Sequence, residues 1–235
     1  MHMKYKRILL KISGETLLGN DHNIDPATCD FVASEIKQLV EAKVEVAIVL
    51  GGGNIFRGKA AEDHGMKRTT GDYIGMLATV MNSLALRSAF AKIGVDSRVM
   101  SALDMPKVCE PFIRDKAMRH LEKGRVVIAA AGSGNPYFST DTAAAIRACE
   151  LDCEIVFKAT KVDGIYDKDP KKYSDAIKFD RLSYLDVINK KIEVMDSTAI
   201  ALCMDNDLPI YVFELMKHGN IKRAVMGEKM GTTVQ

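Results

Sequence analysis

The sequence predicts an α/β domain, a three-layer sandwich with a mostly parallel central sheet between helical layers. Three observations carry that expectation. Short β-branched runs alternate with longer segments of helical period along the chain. Several of those runs are apolar on both faces, as buried parallel strands are. No internal repeat, low-complexity stretch or linker interrupts the 235 residues, 47% of them hydrophobic. One large domain over 1–235 is therefore expected, with halves at roughly 1–150 and 151–235.

The expected core strands are Tyr5 to Ile12, Val44 to Leu50, Asp96 to Met100, Arg125 to Ala131, Glu154 to Lys158 and Pro209 to Phe213. Helices fill the gaps. Asp25 before Pro26 reads as an N-cap with proline at the first helical position, opening a helix on which Phe31, Ile36, Leu39 and Val40 share one face. Asp72 is expected to open a long helix through Leu77, Val80, Met81 and Leu84 to Ala91, stopped at Gly94. Thr140 or Asp141 opens the next, reaching about Leu151. Ser197 to Asn206 forms another, ended by Leu208-Pro209. Val162 to Tyr166 turns at Asp163-Gly164, and with the polar Lys168 to Lys172 it reads as a hairpin covering a ligand.

Charge and composition narrow the function classes. A net charge of +2 from 33 basic and 31 acidic residues offers no general attraction to nucleic acid or an anionic membrane. No apolar stretch approaches the roughly 20 residues of a membrane span, and Met1 to Lys6 lacks a signal-peptide core, so a cytoplasmic protein is expected. Cys29, Cys109, Cys149, Cys153 and Cys203 are odd in number and scattered, as reduced thiols are. Cys149 and Cys153 lie one helical turn apart, but no second Cys or His pair completes a tetrahedral set, and no metal site is expected.

The chemistry-bearing residues gather where strands end. Lys11 closes the first apolar run beside Ser13 and Gly14; the second run stops at Gly51, Gly52 and Gly53, followed by Asn54 and Arg57. Carboxyl ends of parallel strands are the ligand edge of such folds, and glycines there let main-chain N–H groups approach an anion. The pattern suggests a phosphoryl-transfer site. Gly53 to Lys59 matches the phosphate-loop pattern G-x4-G-K, but Ala60 lacks the hydroxyl that would hold Mg²⁺, and Ala61 to Arg68 lacks helical period. The loop Gly132 to Asp141 concentrates hydroxyls, an amide and two glycines before a helix N-terminus, which suits an anionic ligand; alternatively it is a capped turn. Lys158 to Tyr166 places two lysines, a hydroxyl and an aromatic ring after a strand, where a base could stack. Asp196 is an N-cap by default and could also reach back to Lys11 and hold its ammonium in line.

Taken in order, these segments resemble the bacterial-type uridylate kinases, UMP kinases of the amino acid kinase superfamily. The resemblance runs from Lys6 to Thr232. It rests on Lys6 to Glu15, Gly51 to Gly58, Gly71-Asp72 with Gly75 to Thr79, Gly134 to Phe138, Lys158 to Gly164, and Val194 to Asp196. It implies the carbamate kinase-like fold and transfer of the ATP γ-phosphate to UMP, giving UDP in pyrimidine nucleotide biosynthesis. By the same resemblance, Lys11, Ile12, Ser13, Gly14, Gly53 and Arg57 meet the ATP phosphates, with Thr160, Tyr166 and Asp169 near its base and ribose. Gly52, Arg57, Asp72 and the loop Ser133, Gly134, Asn135, Pro136, Tyr137, Phe138, Ser139 and Thr140 bind UMP, Asp72 reaching the ribose hydroxyls. Asp141 and Asp196 organise Lys11 and Lys158. Mg²⁺ travels with ATP rather than in a dedicated cage. The resemblance also implies UTP inhibition and a homohexamer. The glycine-poor Gly19 to Ile24 departs from the glycine-rich stretch tied to GTP activation and puts that activation in doubt. Two rival readings stand beside this one: a carboxylate or carbamate kinase of the same fold, and a nucleotide-sensing regulator without turnover.

Overall fold

The computed structural model describes residues 3–57 and 65–235. Gly58, Lys59 and Ala60, on which the phosphate-loop comparison turns, lie outside the described residues, as do Met1, His2 and the stretch through His64. The strands are β1 (Arg7–Ile12), β2 (Glu45–Leu50), β3 (Ser97–Ser101), β4 (Glu110–Pro111), β5 (Val126–Ala130), β6 (Val156–Thr160), β7 (Ile165–Tyr166), β8 (Lys178–Phe179), β9 (Arg181–Leu182), β10 (Ile210–Glu214) and β11 (Thr232–Val234). Nine of them make one sheet in the order β4-β3-β5-β2-β1-β6-β10-β11-β9, and β7 with β8 forms a separate antiparallel ribbon. Among the described residues only the β10–β11 pairing in the large sheet is antiparallel. All six strands expected from the sequence are present, with ends shifted by one or two residues.

Pleating sorts the central residues. Ile8, Leu10, Ile12, Ile48 and Leu50 face one side, packed with α1 (Pro26–Glu41), α2 (Arg68–Lys92) and the short α7 (Asn220–Val225). Leu9, Ala47 and Val49 face the other side. Covering them are α3 (Arg114–Glu122), α4 (Thr140–Glu150), α5 (Tyr184–Asn189) and α6 (Ser197–Asp205). Ile8, Leu9 and Leu10 are wholly buried, each burial stabilising by about 1.5–3 kcal/mol, so β1 is anchored at the centre of the three layers.

The helix boundaries show where local signals were enough. Asp25 caps α1 by accepting from the amides of Ala27 (3.2 Å) and Thr28 (3.1 Å). The buried face of α1 is Cys29, Val32, Ala33, Ile36 and Leu39, with Phe31 and Val40 at its edge. One expected opening and one expected cap are corrected. The helix expected from Asp72 begins at Arg68, with Lys67 at the cap position and no side-chain cap, because the Asp72 carboxylate is turned to a loop across the sheet edge. α4 does open at Thr140, as expected, but the cap is Ser139, which accepts from the amides of Asp141 and Thr142. A third correction concerns α2 itself. Its 25 residues contain a window of mean hydropathy 1.3, long and apolar enough by length and composition to cross a membrane, where none was expected. Half of that window is buried, and its packing against α1 and β3 accounts for the apolarity.

Candidate active site

Lys11 is the next-to-last residue of β1 and lies on the same face as Leu9, one residue short of the strand's carboxyl end. The parallel register sets it directly beside Lys158 of β6, so two lysines point from adjacent strands toward the first turn of α4. Asp141 meets them there. One carboxylate oxygen forms an ion pair with Lys11 Nζ, and the other accepts from Lys158 Nζ at 2.8 Å. Lys158 Nζ also donates to the carbonyl of Val194. Since Ser139 performs the capping, the Asp141 side chain is free to turn inward.

Burial opposes the charged form of Asp141, but attraction and hydrogen bonding from Lys11 and Lys158 outweigh it and hold the carboxyl below its ordinary range. Burial also pulls Lys158 below the usual lysine value, with Asp141 resisting and Lys11 assisting the shift. Fully ionised, two ammonium groups and one carboxylate leave an excess positive charge in a pocket of low dielectric. Such an excess is stabilised by an incoming anion.

Three turns converge beside this cluster. A Cβ on Gly14 would come within 2.7 Å of Gly51 O and Gly53 N, and one on Gly51 within 2.8 Å of Gly14 N, so the loops after β1 and β2 touch only because both are glycine there. From the glycine turn a cleft of about 160 Å³ opens, lined by Gly52, Gly53, Phe56, Gly71, Asp72, Gly75, Met76, Thr79, Gly132, Ser133, Phe138, Ser139 and Thr140. Its far wall leaves β5 through a run of left-handed residues: Ala131 (φ 61°), Gly132 (57°), Gly134 (82°) and Tyr137 (71°). Two side chains of α2 hold this wall. The Thr79 hydroxyl accepts from Ala131 N at 2.8 Å, and Asp72 accepts from Tyr137 N at 2.7 Å. The Arg68 guanidinium lies 4.8 Å from the centre of the Tyr137 ring.

A second cleft of about 560 Å³ is lined by Lys158, Thr160, Gly164, Tyr166, Asp169, Pro170 and Val194 among others. The β7–β8 ribbon forms its wall. Tyr166 donates to Asp163 at 2.6 Å, which pushes the phenol up to about 12. Asp163 also accepts from Lys178 at 2.9 Å. Partial burial acts against its charge, but these two donors keep its pKa below the ordinary value. The Thr160 hydroxyl donates to Val162 O at 2.6 Å, and Asp169 accepts from Lys171 N at 2.9 Å, so both shape the backbone of this wall.

Most of the residues singled out in the sequence fall around these two clefts. Gly52, Gly53, Asp72, Ser133, Phe138, Ser139 and Thr140 line the first, and Lys158, Thr160, Tyr166 and Asp169 the second. Gly134, Asn135 and Pro136 belong to the loop behind the first cleft and do not line it. Tyr137 lines a neighbouring hollow with Arg68, Asp72 and Asp196. Arg57 is 63% exposed and pairs with Glu15 at 2.7 Å, tying the glycine turn to the turn Gly14–Leu17 that follows Ser13. The Ile12 side chain is wholly buried, facing α1 and α2, which leaves only its backbone toward the glycine turn: its carbonyl accepts from Gly51 N. Asp196 does not reach Lys11. Instead it accepts from Ala199 N at 3.0 Å, Thr142 Oγ1 at 2.8 Å and Ser139 Oγ, joining the N-termini of α6 and α4.

Reasoning from sequence did not single out Thr79, Asn82 or Asp163 for the interactions they make. For the first two a signal exists: Thr79, Asn82 and Ser83 interrupt an otherwise apolar helix at turn spacing, and all three are buried. Among the described residues no group of three His, Cys, Asp or Glu side chains is placed to share a metal ion, and the five cysteines are free thiols.

A mostly parallel sheet between helical layers, with a Lys11–Asp141–Lys158 cluster at its carboxyl edge, one cleft lined up to Thr140 beside Asp141 and another lined by Lys158, defines a class of phosphate-handling α/β domain. Residues 6–214 match the amino acid kinase family, and the chain belongs to it. Within that class the chain is similar to solved UMP kinases. It shares 38% identity with the UMP kinase of Bacillus anthracis, covering 98% of this chain and 96% of that one with a TM-score of 0.94. Identity with the Ureaplasma parvum UMP kinase is 37%, covering 99% and 100%, with a TM-score of 0.93. The uridylate kinase of Archaeoglobus fulgidus is 29% identical over 97% and 99%, with a TM-score of 0.74.

Proposed function

We propose that this chain is a UMP kinase that transfers the γ-phosphoryl group of MgATP to UMP, giving ADP and UDP. The observation that carries the reading is the net-positive Lys11–Asp141–Lys158 cluster, whose Lys158 lines the second cleft and whose Asp141 follows Thr140 in the wall of the first. The similarity to UMP kinases over nearly the whole chain supports the choice of acceptor. UMP takes the cleft of residues 52–140 and ATP that of residues 158–212, one in each half of the chain.

An oxygen of the UMP phosphate attacks the γ-phosphorus as the bond to the bridging oxygen of ADP breaks. The protein forms no covalent bond in this step, so its part is positioning and charge compensation. The Lys11 ammonium, the N-terminus of α4 and the N–H groups of the glycine turn act on the charge of the migrating group. Asp141 holds both ammonium groups in place. Mg²⁺ arrives on the nucleotide, whose phosphate oxygens supply ligands; Asp141, already engaged by two lysines, fits that division of labour. Asp72 meets the acceptor ribose, and Tyr166, its phenol anchored by Asp163, offers its ring to the ATP base. A cytoplasmic homohexamer inhibited by UTP completes the reading, together with a place in pyrimidine nucleotide synthesis.

ADP release from ATP should be measured with UMP, CMP, acetylglutamate, aspartate and carbamate in turn. UMP is expected to be the best acceptor. Turnover with an acyl acceptor and none with UMP would overturn the assignment.

A further inference from the structure

Two asparagines, far apart in sequence, form a closed amide pair beneath the glycine turn. Asn54 Nδ2 donates to Asn82 Oδ1 at 2.9 Å, and Asn82 Nδ2 returns a hydrogen bond to Asn54 Oδ1 at 2.8 Å. Each amide uses its second donor on backbone: Asn82 on Gly51 O at 2.7 Å, Asn54 on Asn23 O at 2.6 Å. Asn82 is wholly buried and Asn54 is 7% exposed.

This pair occupies the point where the two substrate-side turns meet. A Cβ on Gly14 would lie 2.7 Å from Asn54 Oδ1, so Asn54 is packed against the loop that carries Ser13 and Gly14 as well as the turn it belongs to. By drawing the Gly51 carbonyl inward, Asn82 fixes the orientation of the first peptide of the turn. Gly51 N and the amides of Ile55 and Phe56 are taken by Ile12 O and Gly52 O, whereas the N–H groups of Gly14, Gly52 and Gly53 have no acceptor among the described residues. Donors left in this way suit an anion.

We propose that Asn82 and Asn54 are positioning residues for phosphoryl transfer. Their reciprocal amide pair sets the glycine turn against the Ser13-Gly14 turn and so fixes the separation of donor and acceptor phosphates. The inference deepens the UMP kinase reading and rests on it for its kinetic part. Neither side chain touches the reacting atoms. Both act through backbone, and loss of the pair frees a buried carbonyl whose only compensation is movement of the turn.

The test uses Asn82→Leu, which keeps the volume and removes all polar contacts, and Asn54→Ser, which opens the pair from the other side. Tyr184→Phe, which deletes a buried hydrogen bond to Leu208 O on the opposite face of the sheet, serves as control. Steady-state kinetics with ATP and UMP and hydrogen exchange at Gly51, Ile55 and Phe56 are measured for each. In both asparagine variants kcat should fall about 100-fold with each KM within about fivefold of the parent, and the three amides should exchange about tenfold faster. The double variant should be no worse than the poorer single one. Tyr184→Phe should lower Tm and leave kcat and these amides unchanged. Parent-like kcat in both asparagine variants overturns the proposal, whatever their Tm. A parent that fails to phosphorylate UMP overturns the functional reading alone; faster exchange then still supports the clamp, and unchanged exchange overturns it too.

Discussion

Asparagine at position 141 would keep the shape of the side chain and remove the charge that faces both Lys11 and Lys158. The three side chains are 8%, 15% and 16% exposed for Lys11, Lys158 and Asp141, so solvent screens the contact little. Breaking a buried ion pair costs about 3–5 kcal/mol, and each kcal/mol moves Tm by about 2–4 °C in a domain of this size, so Asp141→Asn should lower Tm by roughly 6–20 °C. The loss has a pH signature. In the variant, Lys158 loses the attraction that offsets its burial, and its pKa falls further below the ordinary lysine range. The unfolded chain then binds more protons than the folded one between that lowered value and the ordinary one, so the variant gains on the parent as pH rises.

The acid side runs the other way. Asp141 has a lowered pKa in the folded protein, so its contribution is present above the unfolded value of about 3.9 and is lost as pH falls through the folded one. The Tm deficit should therefore be widest from about pH 5 to 7 and narrow toward both extremes. Thermal melts followed by circular dichroism from pH 3 to about 10 give the curve. A variant within about 2 °C of the parent throughout, or a deficit that widens toward alkaline pH, would refute the charge argument.

Three further outcomes can be checked. Lys11→Ala should lower kcat by roughly 10³-fold or more in a coupled ADP assay, whereas Lys59→Ala should be mild; equal and severe losses would restore the phosphate-loop idea. Asp72→Asn should raise the KM for UMP more than that for ATP, because Asp72 lines the first cleft and supports its far wall through Tyr137 N; a titration with the reverse order would remove Asp72 from the acceptor side. Asp163→Asn should bring the Tyr166 phenol down from about 12 toward the ordinary tyrosine range, seen as a larger ultraviolet tyrosinate signal at pH 11. No change in that titration would show that Asp163 does not set the ring.

The strands were readable because each is a local pattern. An apolar run such as Val46–Leu50 between polar ends has few other ways to be buried, and Asp25-Pro26 opens a helix by bonds within a single turn. Glycines at 14 and 51–53 signalled close backbone approach, and the two turns do touch. Boundaries failed where a side chain had a distant claim on it. Asp72 and Asp141 both look like helix openers; in the fold their carboxylates go to Tyr137 N and to the two lysines, leaving Ser139 to cap one helix and no side chain to cap the other.

Composition and period alone determined a parallel α/β sandwich with an anion-suited edge at the ends of its first two long strands. They also determined that Lys11, the glycine turn and the loop from Gly132 would stand at that edge, because strand direction and loop position follow from local pattern. Only the tertiary structure decided the partners. Lys11 and Lys158 become neighbours through the register of β1 on β6, Asp141 rather than Asp196 meets them, and Asn82 finds Asn54 across the sheet edge. Such pairings depend on how separate layers stack, and burial makes each one decisive: a charge or amide withdrawn from water must take whatever partner the packing brings within reach.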